Sequence, residues 1–176
     1  MDIKKTANLL VNFAIKRLAE IFGVFIFLLG ALLLIALLTY SPEDPNFIFP
    51  ENTEIKNLLG FQGSFVSDLF FQSVGLISYL ISFTFILTGI NIIKVKEFFL
   101  IIENIFFTTI YCIFGTLFFS YFYTNAFTLY INGNGGFVGN YFNQTFLNSL
   151  VQIHETTSFY FLIFLTFVLF LLSLNF

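Results

Sequence analysis

The sequence predicts an all-α integral membrane protein with four transmembrane helices arranged as two hairpins. Apolar residues make up 58% of the chain, aromatic residues 22% and charged residues only 10%, which is far from the composition of a soluble globular domain. Four apolar stretches approach the ~20 residues that a helix needs to cross the hydrocarbon core of a bilayer. They lie at about residues 21–39, 69–92, 98–121 and 157–174.

The distribution of basic residues predicts the orientation of these spans. Six of the 7 Lys and Arg residues lie on one side of the membrane, and only Lys56 lies on the other. By the positive-inside rule the first side is cytoplasmic, so both termini are expected in the cytoplasm. The loops at about residues 40–68 and 122–156 are then outside. The six cytoplasmic residues are Lys4, Lys5, Lys16, Arg17, Lys94 and Lys96.

Residues 1–17 are predicted to form a segment of their own, ahead of a membrane domain of residues 18–176. Ile3, Ala7 and Leu10 recur at helical spacing, and polar residues occupy the opposite face. This pattern is typical of an amphipathic helix lying on the cytoplasmic surface of the membrane.

The first span is expected to end abruptly at the outer surface. Pro42 and Pro45 follow it and cannot continue the hydrogen bonding of a helix, while Ser41 can cap a new turn. A segment rich in glycine then leads from Gly60 into the second span. We expect it to form a ledge on the outer side.

A second glycine-containing segment precedes the fourth span and resembles the first. At an offset of 72 residues, Gly63 aligns with Gly135 and Asp68 with Asn140. The two segments therefore suggest a parallel repeat of two hairpins. Residues 136–150 are predicted to form a short amphipathic helix that lies on the outer surface or dips into the membrane, and the glycines before it serve a turn or close packing.

Glu103 and Asn104 are the polar residues that stand out within a span. They lie about one and a half turns into the third stretch, where a charge costs about 3 kcal/mol unless it is paired or near the headgroups. Glu103 is expected to pair with Lys96 or with a neighbouring subunit, or alternatively to line an ion path. Glu20, at the start of the first span, has the same interfacial interpretation.

No catalytic or cofactor-binding pattern is present in the sequence. It contains no G-x-x-x-x-G-K-[ST] loop, no Ser-His-Asp arrangement and no H-E-x-x-H motif. One His and one Cys, Cys112, are too few for a zinc site, and a net charge of −3 does not suggest nucleic-acid binding. We therefore expect this segment to be no enzyme by itself and to bind no metal or cofactor.

These motifs together resemble the four-helix membrane region at the N-terminus of the FtsK/SpoIIIE family of bacterial DNA translocases. The resemblance covers nearly the whole chain from Arg17 to Phe176. Its most specific part is a Tyr-Ser-x-x-Asp-Pro turn followed by an Asn-x-x-Gly-x-x-Gly-x-x-x-x-Asp run. The residues that carry it are Arg17, Glu20, Tyr40, Ser41, Pro42, Asp44, Pro45, Asn57, Gly60, Gly63, Asp68, Gly75, Gly135, Gly136 and Gly139.

The resemblance implies a non-catalytic anchor in the bacterial inner membrane at the division septum. Its expected partners are the lipid bilayer, other division proteins and further copies of the chain. A hexamer is suspected because the motors of the family work as hexameric rings, with Glu20, Glu103 and glycine faces at the contacts between helices. ATP, Mg²⁺ and DNA would be bound only by a C-terminal motor for chromosome segregation, which this sequence does not contain.

The alternative interpretation is a small-solute transporter or channel subunit. In that case Glu103, Asn104 and Asn91 would line a polar path through the membrane. The sequence beyond Phe176 distinguishes the two, since an anchor would continue into a linker and a nucleotide-binding motor. Because the chain ends directly after the fourth span without a basic flank, we expect it to be part of a longer protein.

Overall fold

In the computed structural model, which describes residues 3–45, 54–124 and 131–174, the chain folds entirely into helices and connections. Four helical stretches of these residues are long and apolar enough to cross a membrane, which confirms the predicted fold class. Residues 46–53 and 125–130 of the two predicted outer loops lie outside the described part. The α-helices are α1 (Ile3–Leu38), α2 (Gly60–Val74), α3 (Ser78–Val95), α4 (Leu100–Phe122), α5 (Gly136–Asn143), α6 (Phe146–Ile153) and α7 (Glu155–Ser173).

Helix α1 is longer than the sequence analysis predicts. It runs without a break for 36 residues, which corresponds to about 54 Å, so the amphipathic segment and the first span form one helix. The reason is that Arg17, Leu18, Ala19 and Glu20 between them all favour helix and include no breaker. From Asn8 to Leu18 the side chains are exposed on every side.

The second predicted span is interrupted at Gly75. Its expected start, residue 69, falls inside α2, and a single 3₁₀ turn over Gly75–Ile77 separates α2 from α3. Gly75 has φ 59° and ψ −140°, a conformation that side-chain-bearing residues rarely adopt. The chain therefore changes direction at this residue, and α2 becomes an element of its own.

The helices associate as two pairs. α1 packs along α3, where a side chain on Gly89 would come within 2.6 Å of the carbonyl oxygen of Gly23, and α4 packs along α7. A buried cluster of apolar residues joins the first pair to α4, while a second cluster joins α4 to α6 and α7. The first contains Leu33, Leu37, Phe71, Ile77, Ile81, Tyr111 and Cys112, and the second Leu117, Phe118, Val151 and Leu162.

Two short helices stand where one is predicted for residues 136–150. α5 ends at Asn143, and Thr145 then caps α6 by accepting a hydrogen bond from the backbone N–H of Leu147 at 3.4 Å. A threonine hydroxyl competes well for backbone N–H groups, so it starts a new helix here. The end of the bundle that carries α2, α5 and α6 is called the loop end below. The opposite end, with residues 17–20, residues 94–99 and Leu174, is called the terminal end.

Candidate functional site

Asp44 and Asn57 join the end of α1 to the start of α2 at the loop end. The carboxylate of Asp44, only 1% exposed, accepts hydrogen bonds from the backbone N–H groups of Lys56 and Asn57, both at 2.8 Å. The Asn57 side-chain amide donates to the carbonyl of Ala36 at 2.9 Å. One acid and one amide thus satisfy backbone groups that the chain exposes where a helix ends and a turn begins.

Tyr40 and Asp68 make a second connection between the same elements. The Tyr40 hydroxyl donates to Asp68 at 3.2 Å, and the Ser64 hydroxyl donates to the carbonyl of Pro45 at 3.0 Å. A side chain on Gly63 would lie 2.1 Å from the Asn57 amide oxygen, so the glycine makes room for this connection. The structure therefore brings the two halves of the Tyr-Ser-x-x-Asp-Pro and Asn-to-Asp motif together into one polar network.

Gly75 and Gly136 form the point at which the turn between α2 and α3 meets the start of α5. The backbone N–H of Leu76 donates to the carbonyl of Asn134 at 2.9 Å. A side chain on Gly75 would lie 1.9 Å from that carbonyl oxygen, and one on Gly136 would lie 2.6 Å from the nitrogen of Gly75. We call this contact the glycine crossing. Both glycines also have positive φ, 59° and 64°.

Helix α5 rests on the last turns of α4 through Gly135 and Gly139. A side chain on either glycine would come within 2.3 Å of the Ser120 hydroxyl. Ser120 itself donates to the Asn140 amide oxygen at 3.2 Å. The glycines before the fourth span thus serve close packing as well as a turn. The hydrogen bond between Asn140 and Ser120 at the end of α4 corresponds to the one between Asp68 and Tyr40 after α1.

Several residues of this network were not singled out in the sequence analysis. Asn132 donates two hydrogen bonds to Gln72. Its backbone N–H donates to the side-chain oxygen of Gln72 at 3.2 Å, and its side-chain amide donates to the backbone carbonyl of Gln72 at 3.1 Å. Asn134 is buried and donates to the carbonyl of Tyr123 at 2.6 Å. Thr116 and Ser120, on which Gly135 and Gly139 pack, were also missed, although two small residues four positions apart are typical of close helix packing in membranes.

At the terminal end, Glu20 holds two cations. Its carboxylate contacts Arg17 and Lys96, each at 2.6 Å. Lys96 ends α3 in a left-handed conformation, with φ 64°, which turns its side chain back toward α1. The expected pairing of Lys96 with Glu103 is therefore wrong. Glu20 pairs with Lys96 because α1 packs along α3 at this end. Glu103 instead lies on α4, beyond the connection of residues 96–99.

Glu103 and Asn104 lie on different sides of α4. Glu103 is exposed in the first turn of the helix and forms no ion pair within residues 3–45, 54–124 and 131–174. Asn104 is buried and donates to the Thr88 hydroxyl of α3, and Asn91 donates to the carbonyl of Leu174 at 2.6 Å. The two asparagines thus connect helices, and Glu103 does not lie with them along one path.

Outside the membrane-spanning segments, Glu43 and Lys56 form an exposed ion pair in the loop that follows α1. The Lys56 ammonium holds the pKa of Glu43 below its usual value of 4.5, and the carboxylate raises the pKa of Lys56 above 10.5. Both groups carry their charges at neutral pH. The pair adds an electrostatic contact across the same turn that Asp44 organises.

Comparison with known proteins matches this arrangement to one family. The family described as the 4TM region of DNA translocase FtsK/SpoIIIE matches residues 15–176. The DNA translocase FtsK of Rhizobium meliloti (strain 1021) is 32% identical over 78 residues, which cover 44% of this chain and 9% of that protein. No solved structure matches the chain. The chain, with its four apolar helices, is a multi-pass inner-membrane protein that belongs to the family of the 4TM region of DNA translocase FtsK/SpoIIIE.

Proposed function

We propose that the chain is a non-catalytic membrane anchor that brings a DNA-translocase motor to the division septum. The observation that carries the proposal is the family match over residues 15–176. In this proposal the loop end faces outward and contacts other division proteins, while the terminal end faces the cytoplasm and holds the motor. ATP and Mg²⁺ act only in that motor, and DNA is bound only there.

Exposed aromatic side chains at the loop end support a role in protein contacts. α2 and α5 touch each other and form one ledge over the ends of α1 and α4. Phe61, Phe137 and Tyr141 are exposed on it. Rings held on short, tightly packed helices lose little conformational freedom when a partner binds, which suits an interface.

The contacts at the end of α7 support the proposal that a motor is attached at the terminal end. Leu174 is held to α3 by the hydrogen bond from Asn91, and the Ser173 hydroxyl lies 3.2 Å from that of Thr84. A segment that leaves this helix therefore starts from a fixed point on the terminal end. This is the geometry expected of an anchor that must resist force from a motor.

A fusion of green fluorescent protein to the C-terminus of the full chain tests the proposal in dividing bacteria. The protein fluoresces only when it folds in the cytoplasm, so we expect fluorescence that is concentrated at the septum. Phe137→Ser at the loop end should reduce the septal share, while Phe99→Ser, which changes another exposed ring, at the terminal end, should leave it unchanged. A dark fusion would overturn the orientation, and a uniform membrane signal would overturn the septal role.

We further propose that copies of the chain assemble, with a hexamer as the expected state. Glu20 and the glycines of α1 and α3 are engaged within one chain, so Glu103 is the remaining member of the expected contact set. Cys112 is buried and unsuited to crosslinking. A cysteine placed at the exposed Phe106 should instead crosslink between copies, and a purely monomeric mass in native detergent would contradict the assembly.

A further inference from the structure

An apolar groove of about 470 Å³ runs along α1 at the terminal end of the bundle. Leu18, Ile21, Phe22, Phe25 and Phe98 line it, and the rings of Phe22 and Phe98 lie 5.7 Å apart between centroids. The α1 residues belong to a stretch apolar enough to cross a membrane. In a bilayer the groove therefore opens toward acyl chains.

Lys96 and Arg17 lie close to groove-lining residues along the chain. Lys96 precedes Phe98 by two residues, and Arg17 precedes Leu18 by one, so both cations adjoin groove-lining residues. Glu20 precedes the groove-lining Ile21 and contacts both charged groups, so the cations belong to this end of the groove, which is called its mouth below. The Arg17 side chain remains 58% exposed, which leaves part of its guanidinium available to another anion.

The mouth of the groove keeps a positive balance despite Glu20. Residues 16–20 and 94–97 contain four cations and two carboxylates. Lys16 and Lys94 are exposed on these two segments. An anion that approaches the mouth therefore meets a net attraction, and each lysine or arginine near a membrane surface attracts anionic lipid by about 1 kcal/mol.

We propose that this groove is a binding site for an anionic phospholipid, with one acyl chain in the groove and the phosphate headgroup at Lys94, Lys96 and Arg17. The proposal rests on complementarity, because an apolar groove with cations at one end matches a molecule that joins a hydrocarbon tail to a negative headgroup. A soluble phosphate would lack the tail, and a zwitterionic lipid would gain less from the positive balance. The site goes beyond the anchoring role and does not depend on it.

Native mass spectrometry of the intact chain in neutral detergent tests the site. Phosphatidylglycerol and phosphatidylcholine with identical acyl chains are titrated separately, and the apparent dissociation constant of the first bound lipid is measured. We expect phosphatidylglycerol to bind more tightly. Lys94→Gln should weaken its binding about fivefold, while phosphatidylcholine binding stays unchanged. Lys94→Arg should retain the preference.

Three further variants separate the headgroup contact, the groove and a general effect of charge. Lys56→Gln removes a cation at the loop end and should leave binding unchanged. Glu20→Gln raises the positive balance and should strengthen phosphatidylglycerol binding, an outcome that a purely structural carboxylate would not give. Ile21→Trp fills the exposed side of the groove and should weaken both lipids.

The proposal is overturned if the two lipids bind equally, or if Lys94→Gln and Lys56→Gln behave alike. In either case the cytoplasmic cations would serve only to orient the helices. An unchanged lipid affinity in Ile21→Trp would overturn the assignment of the acyl chain to this groove. Circular dichroism of every variant verifies that the helices remain folded, so a lost preference is read only from folded protein.

Discussion

The two ends of the helix bundle are held together by different kinds of interaction. At the loop end, buried groups such as Asp44, Asn57 and Asn134 bond to backbone atoms, and glycines bring backbones into contact. At the terminal end, the partly exposed residues Arg17, Glu20 and Lys96 form ion pairs. Buried polar groups are costly to leave unpaired, whereas exposed ion pairs contribute little. The loop end should therefore be rigid, whereas the ion pairs of Glu20 at the terminal end should respond to their surroundings.

The difference follows from what each end has to organise. Each of the seven α-helices of the described residues has at least one end at the loop end, and these termini need partners. The terminal end has a single short connection at residues 96–99 between α3 and α4. We expect substitutions at the loop end to unfold the bundle and those at the terminal end to alter mainly its response to salt and lipid.

The largest effect is expected from Gly75→Ala at the glycine crossing. The added carbon would lie 1.9 Å from the carbonyl oxygen of Asn134, and the residue would keep a positive φ. Together the clash and the strained backbone should lower the free energy of unfolding by about 3 kcal/mol or more. Unfolding by sodium dodecyl sulfate, followed by circular dichroism, measures the loss.

Gly60→Ala is the matched control for this variant. Gly60 has φ 66° but no atom within 4 Å of the position of an added carbon. It should therefore show only the backbone cost of about 1 kcal/mol. Equal losses in the two variants would mean that the glycine crossing is not a tight contact.

Asp44→Ala should have the next largest effect. It leaves the buried backbone N–H of Asn57 and the part-buried N–H of Lys56 without their acceptor, at a cost of about 2–3 kcal/mol. Glu43→Ala, next to it but exposed, should change the free energy of unfolding far less than Asp44→Ala does. Thermal unfolding in detergent compares them. If the two losses were similar, the buried network would not be the feature that holds the loop end.

Glu20→Gln at the terminal end should have a small effect. Arg17 and Lys96 lose a charged partner but remain accessible to water and headgroups, so the loss of stability should be much smaller than that of Asp44→Ala and should shrink further at high salt. Melting temperatures in about 50 mM and about 500 mM salt test this. A loss as large as that of Asp44→Ala would remove the distinction between the two ends.

The smallest effect concerns pH and the exposed pair of Glu43 and Lys56. Because the pKa of Glu43 is lowered in the folded chain, its contribution is fully present above the usual value of 4.5 and is lost as the pH falls through the lowered pKa. Glu43→Gln should therefore differ from the wild type at neutral pH and converge with it in acid. A difference in melting temperature that grows on acidification would contradict this pairing.

Much of the fold follows from local sequence. The four apolar stretches predict the spanning helices because length and hydropathy are properties of a single segment, and Pro42 and Pro45 predict the end of α1 for the same reason. The continuity of α1 and the division of residues 136–150 into α5 and α6 were missed. Both depend on single positions, such as the absence of a breaker before Glu20 and the capping hydroxyl of Thr145.

The motif residues were identified from the sequence, but their partners were not. Gly75 was noted without its contact to Asn134, and Glu20 was placed at the interface without its bond to Lys96. Lys96 lies 76 positions from Glu20 along the chain and only seven from Glu103, so sequence proximity favoured the wrong pair. The packing of α1 along α3 instead brings Glu20 to Lys96.

By itself, the sequence determined that four of its segments can cross a membrane, where the first of them ends, and which family it resembles, because hydrophobic length, helix breakers and motif spacing are local properties. Only the tertiary structure decided that Asp44 satisfies the turn before α2, that two glycines bring the turn before α3 against the start of α5, and that cations border an apolar groove. These features join residues distant in the chain, and their energies depend on burial and on contacts that exist only once the helices have packed.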